Sequence, residues 1–418
     1  MISGPRLLLP LLALTAASCV PRTPDPGPDP AADLAYLRQL QRDTWAYIDH
    51  FIAPETGYPH DNNRRTGDTN TTNIGLYLAS LSMAFQLGYV DEAHALARIE
   101  AILDSLDRTG HWNRLYNNWL DPEGRDLSAR PGPNNISDYN KLPAGLIVVR
   151  QTFPELADRC TAFLDEIPWR VFHDPATGKM YYEFDIVART VAHPVHFFRG
   201  EDKILGHFLA IASGQVPPRT WDLHDRSEEE RHGLRYYLHG WQGGGLFMQF
   251  ICGMFLDDRG TELGRSAENF ARAQIRHARE IGAPVWGWSA CAGPDGVYHG
   301  WNDIRDEIVT PHASALAIHL FPEAVIANLR RLEQFGLRAP YEDGGELHAF
   351  GFRDAVNWRT GAINGDDTSQ FLVLDQAMLF LSLVNYTEDG LLWSTFNRDP
   401  LVRNGKTLIA EFRPPPVH

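Results

Sequence analysis

The sequence predicts an all-α protein, a toroid of paired helices with minor peripheral β-strands. Three observations predict it. Helices apolar on nearly every face alternate along the chain with helices carrying one apolar stripe; the first kind must be enclosed by other helices and the second lies outside them. The segments between them concentrate Asn, Asp, His and Trp, as loops around a central cleft would. No sequence repeat of the kind that marks a helical solenoid is present. With 418 residues, 44% of them hydrophobic, the chain can bury a large core, and a single domain over 34–418 is consistent with the length.

Taken in order, residues 1–19 hold Arg6 and an apolar run over 7–17, which reads as an export signal too short to span a membrane. Ala16, Ala17 and Ser18 before Cys19 resemble a bacterial lipoprotein processing box. Cys19 would then be the lipidated first residue of an exported protein, periplasmic or anchored to the outer membrane. Residues 20–33, rich in Pro and Asp, form a stiff linker. A first helix is expected over 34–51. Enclosed helices follow over 72–87, 138–149, 246–255, 311–320 and 371–384, and striped ones over 91–106, 155–171, 262–279 and 323–335. The contrast is plain in one pair: Ile74, Leu76, Leu78, Leu81, Met83 and Phe85 go round their helix, whereas Leu96, Ile99, Leu103 and Leu106 keep to one line. Tyr181, Tyr182 and Phe184 suggest a short strand pair over 180–185, placed at the periphery.

Charge and composition narrow the partner. The formal charge is −15, and no Lys/Arg run offers a phosphate-binding face, so nucleic acid and anionic membrane surfaces are excluded and contact with a membrane is left to the lipid anchor. A neutral ligand fits. Many of the 11 Trp, 14 Tyr and 21 Phe stand beside Gly, Asn, Asp or His, a pairing that suits sugars: a ring covers the C–H face while polar neighbours bond the hydroxyls. The four cysteines form no CxxC, no HExxH occurs, and the glycines at 243–245 lack a following Gly-Lys-Ser/Thr. Neither a metal nor a cofactor is expected.

The stretch over 193–217 puts one carboxylate, Glu201, at the mouth of an apolar helical segment containing Ile204, Leu205, Phe208, Leu209 and Ile211. A carboxyl among aromatic rings loses hydration of its charged form, so it can keep a proton near neutrality and act as an acid. Glu201 and Asp202 are also good first-turn acids for a helix. Arg199 beside Glu201 would depress its pKa unless the guanidinium points away or pairs elsewhere. For a second carboxylate the choices are Asp138, Asp306, Glu307, Asp367 and Asp375. Asp138 opens an enclosed helix, where capping would also explain it. Asp375 sits inside FLVLDQAMLFL and must face either the cleft or a partner such as Gln376 or Arg353, because an unbonded polar group there costs roughly 2–7 kcal/mol. Sugar-binding candidates from the interhelical clusters are Asn73, Tyr116, Trp119, His196, Arg199, Trp241, His299 and Asp367, with Trp286, Trp288 and Trp301 as platforms.

The motifs TNTTNIGLYLASL (69–81), ISDYNKLPAGLIVVR (136–150), GEDKILGHFLAIASGQVP (200–217), WGWSACAGPDG (286–296), TPHASALAI (310–318), FRDAVNW (352–358) and FLVLDQAMLFLSLVNY (371–386) together resemble the glucoamylase-like superfamily. That superfamily holds bacterial endo-β-1,2-glucanases and the C-terminal domain of cyclic β-1,2-glucan synthases; the resemblance covers roughly 45–403. It implies an (α/α)6 barrel and hydrolysis of β-linked glucan, with Glu201 as the acid and Asp138 matching a family aspartate. Relatives that transfer glycans by a retaining route carry a glutamate where this chain has Ala290, and endo-glucanase relatives often have an acid where it has Ala292. The resemblance therefore implies an inverting endo-β-1,2-glucanase. The two alanines leave a non-catalytic glycan-binding lipoprotein as an alternative. A sugar epimerase or isomerase on a similar toroid is a third, and would need two catalytic histidines facing one carbon.

Overall fold

A computed structural model describes residues 29–126, 133–194, 196, 198–239, 244–300, 307–365, 368 and 370–413. Its helices come as enclosed members, each backed by a more polar one. Helix α1 (Pro30–His50) starts at the Asp29 cap with Pro at its first position, where a missing N–H costs nothing. Helix α2 (Thr71–Gln86) is buried almost throughout, and α3 (Glu92–Arg108), capped by Asp91, lies against it with its apolar stripe. The same relation joins α5 (Lys141–Thr152) with α6 (Ala157–Glu166). It recurs for α8 (Leu246–Leu256) with α9 (Glu262–Ile281) and for α10 (Pro311–Ala315) with α11 (Pro322–Gln334). Helix α12 (Val373–Thr387) is enclosed and packs on α1, α2 and α10. Helix α7 (Ile204–Ala212) is backed by α14 (Pro400–Leu408), which follows α13 (Leu391–Asn397).

The enclosed helices approach closely where glycines face each other. A Cβ on Gly75 would lie 2.1 Å from the Lys141 carbonyl oxygen, and one on Gly145 2.2 Å from that of Gly75. Only hydrogens fit between α2 and α5 there.

Several expected elements are broken, each for a backbone reason. The helix anticipated over 138–149 is two, α4 (Ile136–Tyr139) and α5, meeting at Asn140; Pro143 has no N–H to give the Tyr139 carbonyl. The one over 155–171 is interrupted in the same way at Pro168, leaving α6 between short 3-10 turns. Beyond Ala315 the chain tightens into bonds to the third preceding carbonyl, as from Ile318 to Ala315, so α10 stops short of 320. The strand at 180–185 shortens to Glu183–Asp185 and is the middle of three, between Pro133–Asn135 and Thr190–Val191. It is not peripheral: Tyr182 and Glu183 line the central cleft. Among the described residues no helix is long and apolar enough to cross a membrane. Cys19 and the leader lie outside the described residues.

Candidate active site

The loops at one end of the enclosed helices surround a cleft of about 790 Å³. Its lining comes from chain segments far apart in sequence: Asp61 and Asn70 before α2, Trp119, Asp138 on α4, His196, Phe198, Glu201, Asp202 and Lys203 before α7, Met248 on α8, Ala292 and Tyr298, and Leu372 and Leu374 at the start of α12.

Glu201 sits in this wall, in the turn before α7 rather than in the helix itself. Its side chain is 5% exposed. One oxygen accepts the Phe198 amide at 2.9 Å and the other meets the Lys203 ammonium at 3.1 Å. Burial raises its pKa above the usual glutamate value, with Lys203 and the Phe198 amide opposing. A carboxyl beside a cleft whose charged form is disfavoured by burial is what a proton donor needs.

The neighbouring acids are held differently. Asp202 is buried, but Lys141 at 2.5 Å and the Ser137 hydroxyl at 2.6 Å bond it. These groups, with Lys203, overcome the upward push of burial and keep its pKa below the usual aspartate value. Asp202 is thus a fixed anion that balances two lysines. Asp138 lines the same side of the cleft; burial raises its pKa, with Lys141 opposing and Asp202 adding to the rise. The Thr72 hydroxyl donates to its backbone carbonyl at 2.7 Å.

A second acidic group stands elsewhere in the cleft. Asp61 lines it and accepts the Asn73 amide at 2.8 Å, burial raising its pKa. Behind Ala292, whose N–H donates to Asp354 at 2.6 Å, lie Asp354, Asp375 and His312, all essentially buried. His312 approaches Asp375 at 3.4 Å. Burial pushes the Asp354 carboxyl up to about 6, and burial followed by the Asp354 charge holds Asp375 well above the usual aspartate value. Carboxylate, carboxylate and imidazole atoms within 4.8 Å of one another form a donor set that a divalent cation or shared protons would neutralise. His232, His277 and Glu280 make a second such group, running from buried His277 to exposed Glu280.

The structure gathers some of the expected residues at the cleft and removes others. Glu201, Asp138, Trp119 and His196 line it, and the Trp119 ring is 47% exposed there. Asp375 does not line it, and the partners proposed for it are wrong: Gln376 donates to the Phe352 carbonyl, and Arg353 to Gln370 and the Ala339 carbonyl. Asn73 is fully buried and acts on Asp61 rather than on a ligand. Tyr116 is core, its hydroxyl spent on the Leu106 carbonyl. Arg199 is buried and turned away from Glu201, paired with Glu411 and lying over Trp221. Trp286 and Trp288 are core rings rather than platforms, their backbone amides held by Asn328 and Gln274. His299 bonds Asp295 at 2.8 Å, outside the lining residues. Trp241, Trp301, Asp306 and Asp367 lie outside the described residues. Sequence reading missed Lys141, Asp202 and Lys203 as a charge network, and Asp61, Asp354 and His312 as a second acidic group. Asp354 and His312 stood inside motifs already noted, FRDAVNW and TPHASALAI, and a buried charge type in an apolar stretch was the available signal.

Comparison with solved structures decides the fold. The “putative glucoamylase” of Bacteroides fragilis superposes with a TM-score of 0.78 at 20% identity, over 90% of this chain and 96% of the other. This chain has the glucoamylase-like fold, an α/α toroid. An endo-β-1,2-glucanase of Chitinophaga pinensis, solved with sophorotriose and glucose, superposes at 0.74 with 17% identity, over 90% and 98% of the two chains. The family model described as “Putative glucoamylase” matches residues 200–400, and one described as a protein of unknown function matches 39–181. Among curated proteins, the cyclic β-(1,2)-glucan synthase NdvB of Rhizobium meliloti is 26% identical over 90% of this chain. The chain spans 18% of that relative's length.

Proposed function

We propose that this glucoamylase-like protein is a glycoside hydrolase that cleaves β-1,2-linked glucan, acting within chains and inverting the anomeric centre. The observation that carries the reading is Glu201: a buried carboxyl of raised pKa in the wall of a cleft rimmed by an exposed tryptophan. Glu201 donates its proton to the glycosidic oxygen as the bond breaks. Inversion requires a carboxylate on the other side of the sugar to take a proton from water. Asp138 shares the Asp202 and Lys203 charges with Glu201, which favours a position beside the acid rather than opposite. We assign the base to Asp375. It stands behind Ala292, so the water's proton reaches it by relay, and Asp61 and Tyr298 line the cleft and lie within its electrostatic field.

Retention through a covalent intermediate is disfavoured, because Ala290 is fully buried and Ala292 offers the cleft only a methyl group. The epimerase alternative has little support: His196 is the one histidine among the described lining residues. Linkage and export rest on the resemblance and on the leader, respectively. Incorporation of labelled palmitate that disappears in Cys19→Ala would support the lipid anchor; equal labelling of both would refute it.

A reducing-end assay on linear β-1,2-glucan tests the whole reading with wild type and Glu201→Gln. New ends from the wild type and none from the variant are expected. Binding without products from the wild type would favour a glycan-binding lipoprotein instead.

A further inference from the structure

Asp354 and Asp375 cannot both be ordinary carboxylates. They are each 1% exposed, and both oxygens of Asp375 and one of Asp354 have no hydrogen-bond donor among the described residues. Two buried anions so close, with no cation, repel each other and lose hydration at once. Among the described residues, the groups around the pair supply no positive charge. From the loop before α2 comes Asp61, from α1 the Tyr47 phenol, from α10 His312, and from the strands at 291–292 and 298–299 Cys291 and Tyr298. Arg353, next in sequence, directs its guanidinium to Gln370, Ala339 and Pro340. His312 is no counter-ion: burial lowers its pKa to about 3, and its Nδ1 lies 2.7 Å from the Thr310 hydroxyl.

We propose that Asp354 is the positioning residue for Asp375, the two carboxyl groups holding a single proton between them beneath the cleft wall. This rests on the assignment of Asp375 as base and explains how it can serve. The Ala292 amide fixes one Asp354 oxygen at 2.6 Å, leaving the other toward Asp375. With one proton shared, the pair carries one negative charge and can take one more proton. In the reaction the water oxygen bonds to the anomeric carbon as the glycosidic bond breaks. One water proton passes to the pair, and the Glu201 proton leaves with the departing sugar. Solvent then returns a proton from the pair to Glu201. A lone, well-solvated aspartate would be a far weaker acceptor near neutrality than this pair.

The test combines a variant with a measurement on the native protein. In Asp354→Asn the like charge disappears and the amide donates to Asp375, so Asp375 becomes a weaker base. The acid limb of the kcat/KM profile is expected to move down by about one unit or more, with a lower plateau. An acid limb that stays in place overturns the pairing. Because the variant could fail to fold, the wild type is also followed by carbon-13 NMR with aspartate carboxyls labelled. Two resonances titrating together, one still protonated at neutral pH, are expected; independent titration at ordinary values overturns the proposal. So does a stoichiometric divalent metal found by elemental mass spectrometry of the purified protein. If Asp375→Asn hydrolyses glucan like wild type, the base assignment falls and takes this inference with it. If Asp375→Asn is inactive while the acid limb of Asp354→Asn stays put, only the pairing falls.

Discussion

Replacing Lys203 by methionine should move the basic limb of the pH profile upward. The ammonium lies 3.1 Å from a Glu201 oxygen, with both side chains under a tenth exposed. At an effective dielectric constant of about 20, that separation corresponds to roughly 5 kcal/mol of attraction favouring the ionised acid. Part of this is offset in the variant, since the Phe198 amide still bonds Glu201. One pKa unit is about 1.4 kcal/mol, so a quarter of the attraction already shifts Glu201 by about one unit. The sign follows from its role: the acid must be protonated, so activity falls as pH rises through its pKa. Removing the cation raises that pKa and extends activity to higher pH. The assay is kcat/KM on β-1,2-glucan across pH for wild type and Lys203→Met, with thermal unfolding as a folding control. A basic limb that stays in place or moves down would show that Glu201 is not the group titrating there.

Other consequences are checked more simply. Trp119→Ala should raise KM about three- to tenfold with kcat nearly unchanged, since the exposed ring at the cleft would contribute about 0.5–1.5 kcal/mol of sugar contact. Gly145→Ala should cost at least about 1–3 kcal/mol in a denaturant titration, because the new methyl would meet the Gly75 carbonyl at 2.2 Å. Glu411→Gln should destabilise by about 3–5 kcal/mol in thermal unfolding, leaving the Arg199 charge buried without its anion.

The fold was legible because burial on all faces leaves a mark in sequence that one-sided burial does not. Helices α2, α8 and α12 fall within two or three residues of expectation for that reason. Two of the helix errors arose where a single backbone N–H was missing, at Pro143 and Pro168, since side-chain periodicity carries no record of it. In the site, Glu201 was legible because a glycine-aromatic run followed by a carboxylate and an apolar helix is locally informative. The aromatic platforms were not. Trp286 and Trp288 flank Gly287 in a loop-like stretch of sequence, yet their rings pack inward and their backbone amides are held by Asn328 and Gln274, 42 and 14 positions away. Arg199 shows the same limit, as its partner Glu411 lies 212 positions away. The pairing of Asp354 with Asp375 likewise depends on two loops meeting behind Ala292, which no local pattern encodes.

The central claim, that Glu201 protonates the departing oxygen, is tested most directly by changing how much that oxygen needs a proton. A β-1,2-linked glucose disaccharide bearing a dinitrophenyl leaving group departs without acid assistance. Glu201→Gln should lose about 10²–10⁴-fold on the natural glucan and keep nearly wild-type rates on the activated substrate. Equal losses on both substrates would contradict the assignment.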